Sequence, residues 1–184
     1  MRPAERELLR ETLDRALGAL DPARAGAADA ALRELGWHEL LQAEPLDAVD
    51  AVFRALGRAN AAASVLDDVV AARLGVEPRD DLAVLLPAFS TWDPPGDVRH
   101  GVRATGIGSG RVATASELLV VGRDAAGRTM TATVPVASAR VEVIAGVDPG
   151  MGLHAVQVDL TAAAAVPLDD RAWDDAVAGA RARA

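Results

Sequence analysis

Residues 65–88 read VLDDVVAARLGVEPRDDLAVLLPA. The apolar spacing changes inside this stretch. Val65, Leu66, Val69 and Leu74 recur at three- to four-residue intervals, which predicts a helix from about Asn60 with one buried face, stopped by Gly75. Seven residues on, DLAVLLPA is a short apolar run ending in proline. Helical spacing lies before this switch, and short Val- and Thr-rich segments lie after it.

Upstream, Leu8, Leu9, Leu13, Ala16, Leu17 and Leu20 share one face at helical spacing over residues 4–20. A turn at Asp21-Pro22 leads into a second helix carrying Ala28, Ala31, Leu32 and Leu35, stopped at Gly36. Pro45 suits the first turn of a third helix, with Leu46, Val49, Val52, Phe53 and Leu56 buried and Gly57 interrupting it. The first 75 residues read as a small helical bundle.

Downstream, TWDPPGD is a loop, and ELLVVG, TMTATVPV, ARVEVIAG and HAVQVDL are strand-like segments punctuated by Gly, Pro and Asp. GRDAAGR, between Val121 and Thr129, is a hairpin loop. Asp169 or Asp170 then caps an Ala-rich helix over about 169–182. The fold class is therefore α+β: an N-terminal α-helical bundle (1–78), a small antiparallel β domain (79–168) and a short C-terminal helix (169–184).

The chain has 184 residues, 27 acidic against 19 basic, for a net charge of −8. That balance argues against nucleic acid as a general partner. All basic residues are arginine, which excludes a Schiff-base or P-loop lysine, and the absence of cysteine excludes disulfides and thiolate metal sites. No apolar run approaches the roughly 20 residues of a membrane span. The N-terminus MRPAERELLRETL has no signal-peptide core, so a cytoplasmic location is expected.

Few residues suggest chemistry. GIGSG (Gly106–Gly110) matches neither a dinucleotide fingerprint nor a P-loop, and reads as a turn. His38, His100 and His154 lack metal-ligand spacing and read as surface or internally satisfied histidines. The doublets Asp67-Asp68, Asp80-Asp81, Asp169-Asp170 and Asp174-Asp175 read as helix caps or solvent-facing charge. Trp37, after a helix stop, reads as a core anchor. No catalytic set emerges from these residues, and no metal site is expected.

The local segments resemble the acyl-CoA dehydrogenases in order. ERELLRETLDRAL resembles their opening helix, ALRELGWHELL their second helix, and VFRALGRANAAASVLDDVVAARLG the stretch after it. ATASELLVVGRDAAGR resembles a strand and hairpin of their β domain, and GVDPGMGLHAVQVDLTAAAAVPLDDRAW the exit from it. The resemblance implies flavin-dependent α,β-dehydrogenation of an acyl-CoA: a carboxylate takes the α-proton while hydride leaves the β-carbon for the flavin.

The departures bear on function. STWDPPGDV (Ser90–Val98) resembles a relic of the family's T-E-P-x-x-G-S-D flavin segment, with Thr91, Asp93, Pro94 and Gly96 in similar order; its other reading is a proline turn between strands. Thr114 sits near the place of the family's W-I-T segment. The resemblance implies that these five residues are the cofactor-binding relic. It further implies that the family's C-terminal helical domain, with its catalytic carboxylate, is absent here and that the last helix is its beginning. Two functions follow as expectations. One is a dehydrogenase-like subunit in a hetero-oligomer with a full-length acyl-CoA dehydrogenase-like chain, with acyl-CoA as substrate and FAD bound only in that complex. The other is a non-catalytic binding or structural protein on the same scaffold. An unrelated α+β domain is a third, weaker reading. Trp173, Val177 and Ala180 form a stripe on the last helix, expected to bury against another chain.

Overall fold

The computed structural model describes residues 1–21, 26–146, 149–169 and 171–181. Five α-helices precede the first strand among the described residues: α1 (Pro3–Gly18), α2 (Ala27–Glu34), α3 (Trp37–Ala43), α4 (Pro45–Ala59) and α5 (Val65–Arg73). Leu13 and Leu17 of α1, Leu32 of α2, Trp37 and Leu41 of α3, and Val49, Val52 and Leu56 of α4 form one core.

Several helix details differ from the periodic reading. Gly36 adopts a left-handed conformation and separates α2 from α3, an extra short helix. Gly57 does not interrupt α4, which runs on until Asn60 caps it with φ 49°. Only then does the chain restart as α5, later than Asn60. Leu8, Leu35 and Leu46 are exposed, not buried. Leu9, Leu13 and Leu17 follow the i, i+4, i+8 line, and Leu8 lies about 100° off it. Leu35 and Leu46 sit at helix ends, where the neighbouring helix no longer covers them. Pro22 of the expected turn lies outside the described residues.

The strands are β1 (Leu82–Val84), β2 (Gly96–Asp97), β3 (Val102–Gly108), β4 (Glu117–Arg123), β5 (Thr129–Pro135), β6 (Ala139–Val143), β7 (His154–Leu160) and β8 (Val166–Pro167). They form one mixed sheet in the order β6-β7-β3-β2-β4-β5-β8, with β1 also beside β4. The long ladders β3–β7, β4–β5 and β6–β7 are antiparallel. The exceptions are β1 and β2, which run parallel to β4 at its two ends, Leu82 opposite Glu117 and Gly96 opposite Gly122. The segment from β1 to β2 thus threads between β3 and β4.

That threading explains GIGSG. Gly106 and Gly108 lie in a strand, and only Ser109-Gly110 turns, into a short 3-10 helix (Gly110–Ala113). A Cβ on Gly106 would stand 2.1 Å from the carbonyl oxygen of Leu86, whose backbone bonds to Ile107. The glycine is required by close backbone packing and not by a phosphate. The β4–β5 hairpin turns through Asp124–Gly127 as its sequence predicts, with Gly127 at φ 78°.

The final helix, α6 (Ala172–Arg181), packs on its own chain. Trp173 is 2% exposed, among Val70 and Ala71 of α5, Leu74 just after it, and Leu119 and Val121 of β4. The expectation that this stripe buries against another chain is corrected: α5 and the outer face of the sheet leave a slot that the indole fills. The Asp169 side chain accepts from the Arg171 N–H just ahead of α6; Asp170 and Ala182 lie outside the described residues, as does the side chain of Ala180. The indole Nε1–H donates to the carbonyl of Trp92 at 2.8 Å. Trp173→Phe keeps most of the apolar burial and loses that bond. It should cost about 1 kcal/mol and lower the melting temperature by about 2–4 °C, measurable by thermal unfolding. No helix among the described residues is long and apolar enough to cross a membrane.

Candidate functional site

Two places carry polar chemistry, and the first was not expected. Asp67 and Asp68 open α5, with Ser64 just before it. Both carboxylates have 0% exposure, because α5 is wedged between the bundle and the sheet. The reading of this doublet as a solvent-facing cap is corrected. Its signal was present: Val65, Leu66, Val69 and Val70 flank it, so no face of that helix turn can point to water without exposing apolar residues.

Each carboxylate has a specific set of partners. Arg111, in the 3-10 helix after β3, grips Asp68 with both terminal nitrogens, Nη2 donating to Oδ2 at 2.8 Å and Nη1 to Oδ1. Trp37 Nε1–H donates to Asp68 Oδ2 at 2.8 Å, and His38 Nε2 stands 3.3 Å from Oδ1. Trp37 is thus a core anchor, as its sequence position suggests, and His38 is satisfied internally. Ser109 Oγ donates to Asp67 Oδ2 at 2.8 Å, while Asp67 Oδ1 has no hydrogen-bond partner. The Ser64 N–H donates to Asp29 of α2 at 2.7 Å, and Ser64 Oγ accepts from the Arg111 N–H at 3.1 Å. One connected network therefore ties α2, α3 and α5 to the end of β3.

Its electrostatics follow from burial. Burial pushes the Asp67 carboxyl up to about 7, against the charge of Arg111 and the Ser109 hydroxyl. Burial likewise raises Asp29, against the Ser64 N–H. Burial works against the charge of Arg111, but Asp68, Asp67 and Asp29 outweigh it and hold its pKa above the ordinary value. The network opens on a cleft of about 90 Å³ lined by Asp29, Arg33, Trp37, His38, Glu39 and Asp80. Ligand pockets hold about 300–1,000 Å³, so this cleft is too small for a cofactor. Apart from Asp67 Oδ1, the carboxylate oxygens of Asp67 and Asp68 are spent on partners within the network, and the arrangement is a clamp between bundle and sheet.

The second place is the loop between β1 and β2. Thr91, Asp93 and Pro94 lie together on it, and Gly96 follows as the first residue of β2; Thr91 and Asp93 are exposed and Pro94 is half-buried. Thr91 N–H and Oγ1 both bond the carbonyl of Ala88, closing a turn in which Ser90 has φ 69°. Phe89 and Trp92 project outward, 68% and 54% exposed. Gly96 has a structural reason of its own: a Cβ there would meet the Val121 carbonyl oxygen at 2.9 Å. Next to it, the Arg99 guanidinium holds the Asp97 carboxyl well below the usual carboxylate range.

Thr114 does not join this group. It follows the 3-10 helix and its Oγ1 donates to the Arg111 carbonyl at 3.3 Å. That places it before the start of β4, whereas Gly96 pairs with Gly122 near the end of β4, on the order of 17 Å along the strand. The five relic residues are therefore not brought into one place: Thr91, Asp93, Pro94 and Gly96 run from the loop into β2, Thr114 lies at the other end of β4, and both threonine hydroxyls donate to backbone carbonyls. Among the described residues no group of His, Cys, Asp and Glu could hold a metal ion.

Comparison with known proteins gives the fold a family likeness. No protein-family model matches the sequence, and no curated protein matches it significantly. Solved structures do match. The Tcur3481-Tcur3483 steroid acyl-CoA dehydrogenase aligns over 98% of this chain and 61% of its own, at 16% identity and a TM-score of 0.71. The ChsE4-ChsE5 complex from Mycobacterium tuberculosis aligns over 94% and 59%, at 21% identity and a TM-score of 0.58. The HsaA monooxygenase from M. tuberculosis aligns over 96% and 56%, at 20% identity and a TM-score of 0.52. The chain has an acyl-CoA dehydrogenase-like fold and spans about three fifths of the length of the first two structures.

Proposed function

We propose that this chain is an acyl-CoA dehydrogenase-like subunit that supports flavin-dependent α,β-dehydrogenation of an acyl-CoA together with a fuller dehydrogenase chain. The fold supports this reading, since the first two matching structures are a steroid acyl-CoA dehydrogenase and a two-protein complex. The observation that carries it is the β1–β2 loop. Trp173 fixes this loop from beneath through the Trp92 carbonyl, while Phe89 and Trp92 stand in the open above it. An exposed aromatic loop, tied to α6 by that bond at the place that resembles the flavin segment, is one wall of a site whose other walls come from elsewhere. On this reading FAD is held only in the complex, and the proton-abstracting carboxylate belongs to the fuller chain.

A second reading keeps the scaffold and drops the chemistry: a non-catalytic binding or structural protein. The internal use of the Thr91 and Thr114 hydroxyls favours it. Purification of the tagged chain from its native source separates the two. The first reading expects a co-purifying dehydrogenase chain and a flavin absorbance band that bleaches when acyl-CoA is added. A colourless homo-oligomer would reject it in favour of the second.

A further inference from the structure

Among the described residues, the outer edge of β6 pairs with no strand, and it carries its own pairing code. Residues 139–143 read ARVEV, and the only ladder β6 makes among the described residues is with β7. The Ile144 N–H donates to the Leu153 carbonyl at 2.9 Å, continuing the register in which Val143 opposes His154. In an antiparallel ladder the bonded pairs alternate. Arg140, Glu142 and Ile144 therefore turn their backbone groups toward β7, and Ala139, Val141 and Val143 turn theirs outward. The Ala139 N–H is taken by the Val136 carbonyl. The outward edge then offers the N–H groups of Val141 and Val143 and the carbonyls of Ala139, Val141 and Val143. Its side chains are strongly exposed, Arg140 at 73%, Glu142 at 59% and Val143 at 71%, and within the strand Arg140 Nε donates to Glu142 Oε1 at 2.8 Å, an exposed pair that leaves Glu142 Oε2 and Arg140 Nη1 for a facing strand.

We infer that this edge pairs antiparallel with β6 of a second copy of the chain, on a two-fold axis through Val141. Each Val141 then donates to and accepts from the other, and each Val143 N–H donates to the opposite Ala139 carbonyl. Among registers that the bonding parity allows, those centred on residue 140, 141 or 142 keep most of the strand paired. Centring on 140 sets Arg140 against Arg140, and centring on 142 sets Glu142 against Glu142. Only the register centred on 141 sets Arg140 against Glu142 twice, with Cβ atoms about 4.5–5.5 Å apart. On the other face, Ala139 and Val141 are half-buried beside the core that holds Val156 and Val158. The second copy's Val143 lies over Ala139 there and extends that apolar layer. Unpaired edges of this kind template strand addition. Five residues make a small interface, so the dimer is reversible and concentration-dependent.

Sedimentation equilibrium of the full chain tests this with four proteins. The wild type should dimerise as its concentration rises. Arg140→Glu and Glu142→Arg each create two like-charge contacts and should weaken association on the order of ten-fold. The double variant Arg140→Glu/Glu142→Arg restores opposite charges in the same register and should recover the wild-type association. All three changes are on exposed side chains, and circular dichroism checks that each variant is folded. A wild type that stays monomeric at the highest concentrations, single variants that associate like the wild type, or a double variant as weak as the singles would each overturn the inference.

Discussion

Replacing Arg111 with methionine should destabilise the protein by about 3–5 kcal/mol, because it strands a buried carboxylate. Asp68 has no exposure, and Arg111 supplies both of its charge-assisted bonds from one guanidinium. Methionine fills similar volume, so the loss is electrostatic and not a cavity. What remains for Asp68 is the Trp37 indole N–H and the neighbouring His38. Since the clamp joins α5 to the turn after β3, the loss is felt by bundle and sheet together. Denaturant unfolding should show one cooperative transition at a markedly lower midpoint. Asp68→Asn in the same background removes the stranded charge and should regain a large part of the loss. If Arg111→Met unfolds outright, Arg111→Lys, which keeps the charge and loses the two-pronged grip, gives the smaller readable effect. A change below about 1 kcal/mol for Arg111→Met, the size of an exposed pair, would show that the clamp does not hold the fold.

Asp67 should make stability fall as pH rises from about 4 to about 7. Its carboxyl titrates at about 7 in the folded chain, against about 3.9 when unfolded. Below about pH 4 both states are protonated and the group adds no pH dependence. Between about 4 and 7 the folded state keeps a proton that the unfolded state has released, so rising pH favours unfolding. Above about 7 the penalty is complete, at most about 4 kcal/mol from the three-unit separation. Asp67→Asn keeps the acceptor for Ser109 Oγ and places an uncharged amide where the unpartnered oxygen lies. The variant should be more stable than the wild type at pH 8, and the difference should shrink toward pH 4. Urea unfolding at several pH values measures it. Parallel stability curves for the two proteins would contradict the account.

How much of this was legible before the coordinates depends on whether a residue's environment is local. The stripe Leu9, Leu13, Leu17 and the run Val49, Val52, Leu56 announce helices, because one neighbouring surface satisfies them. ELLVVG, TMTATVPV and HAVQVDL announce strands through β-branched density. VRATGIG did not, since its small residues dilute the apolar pattern: Gly106 is small where the extension of β1 passes at Leu85 and Leu86, and Gly108 where Val112 and Val156 pack. Nor could parallel pairing of β1 and β2 with β4 be foreseen: it depends on a segment threading between strands that lie later in the chain. Asp67 and Asp68 looked like caps because their partners, Ser109 and Arg111, are more than forty residues away. Thr91, Asp93, Pro94 and Gly96 lie near one another because they fall within six residues of chain, and Thr114 is apart because it precedes β4 while Gly96 pairs near the end of β4. The flavin reading rests on order along the chain, and order does not report distance.

The central claim is that this chain contributes to a flavin site it does not complete alone. Calorimetric titration of FAD into the purified chain, repeated with the co-purified complex, measures it directly. The account predicts weak or undetectable binding to the chain alone, whose aromatic loop is open, and stoichiometric flavin in the complex. Stoichiometric FAD in the isolated chain, or a complex that takes up no flavin, would contradict it.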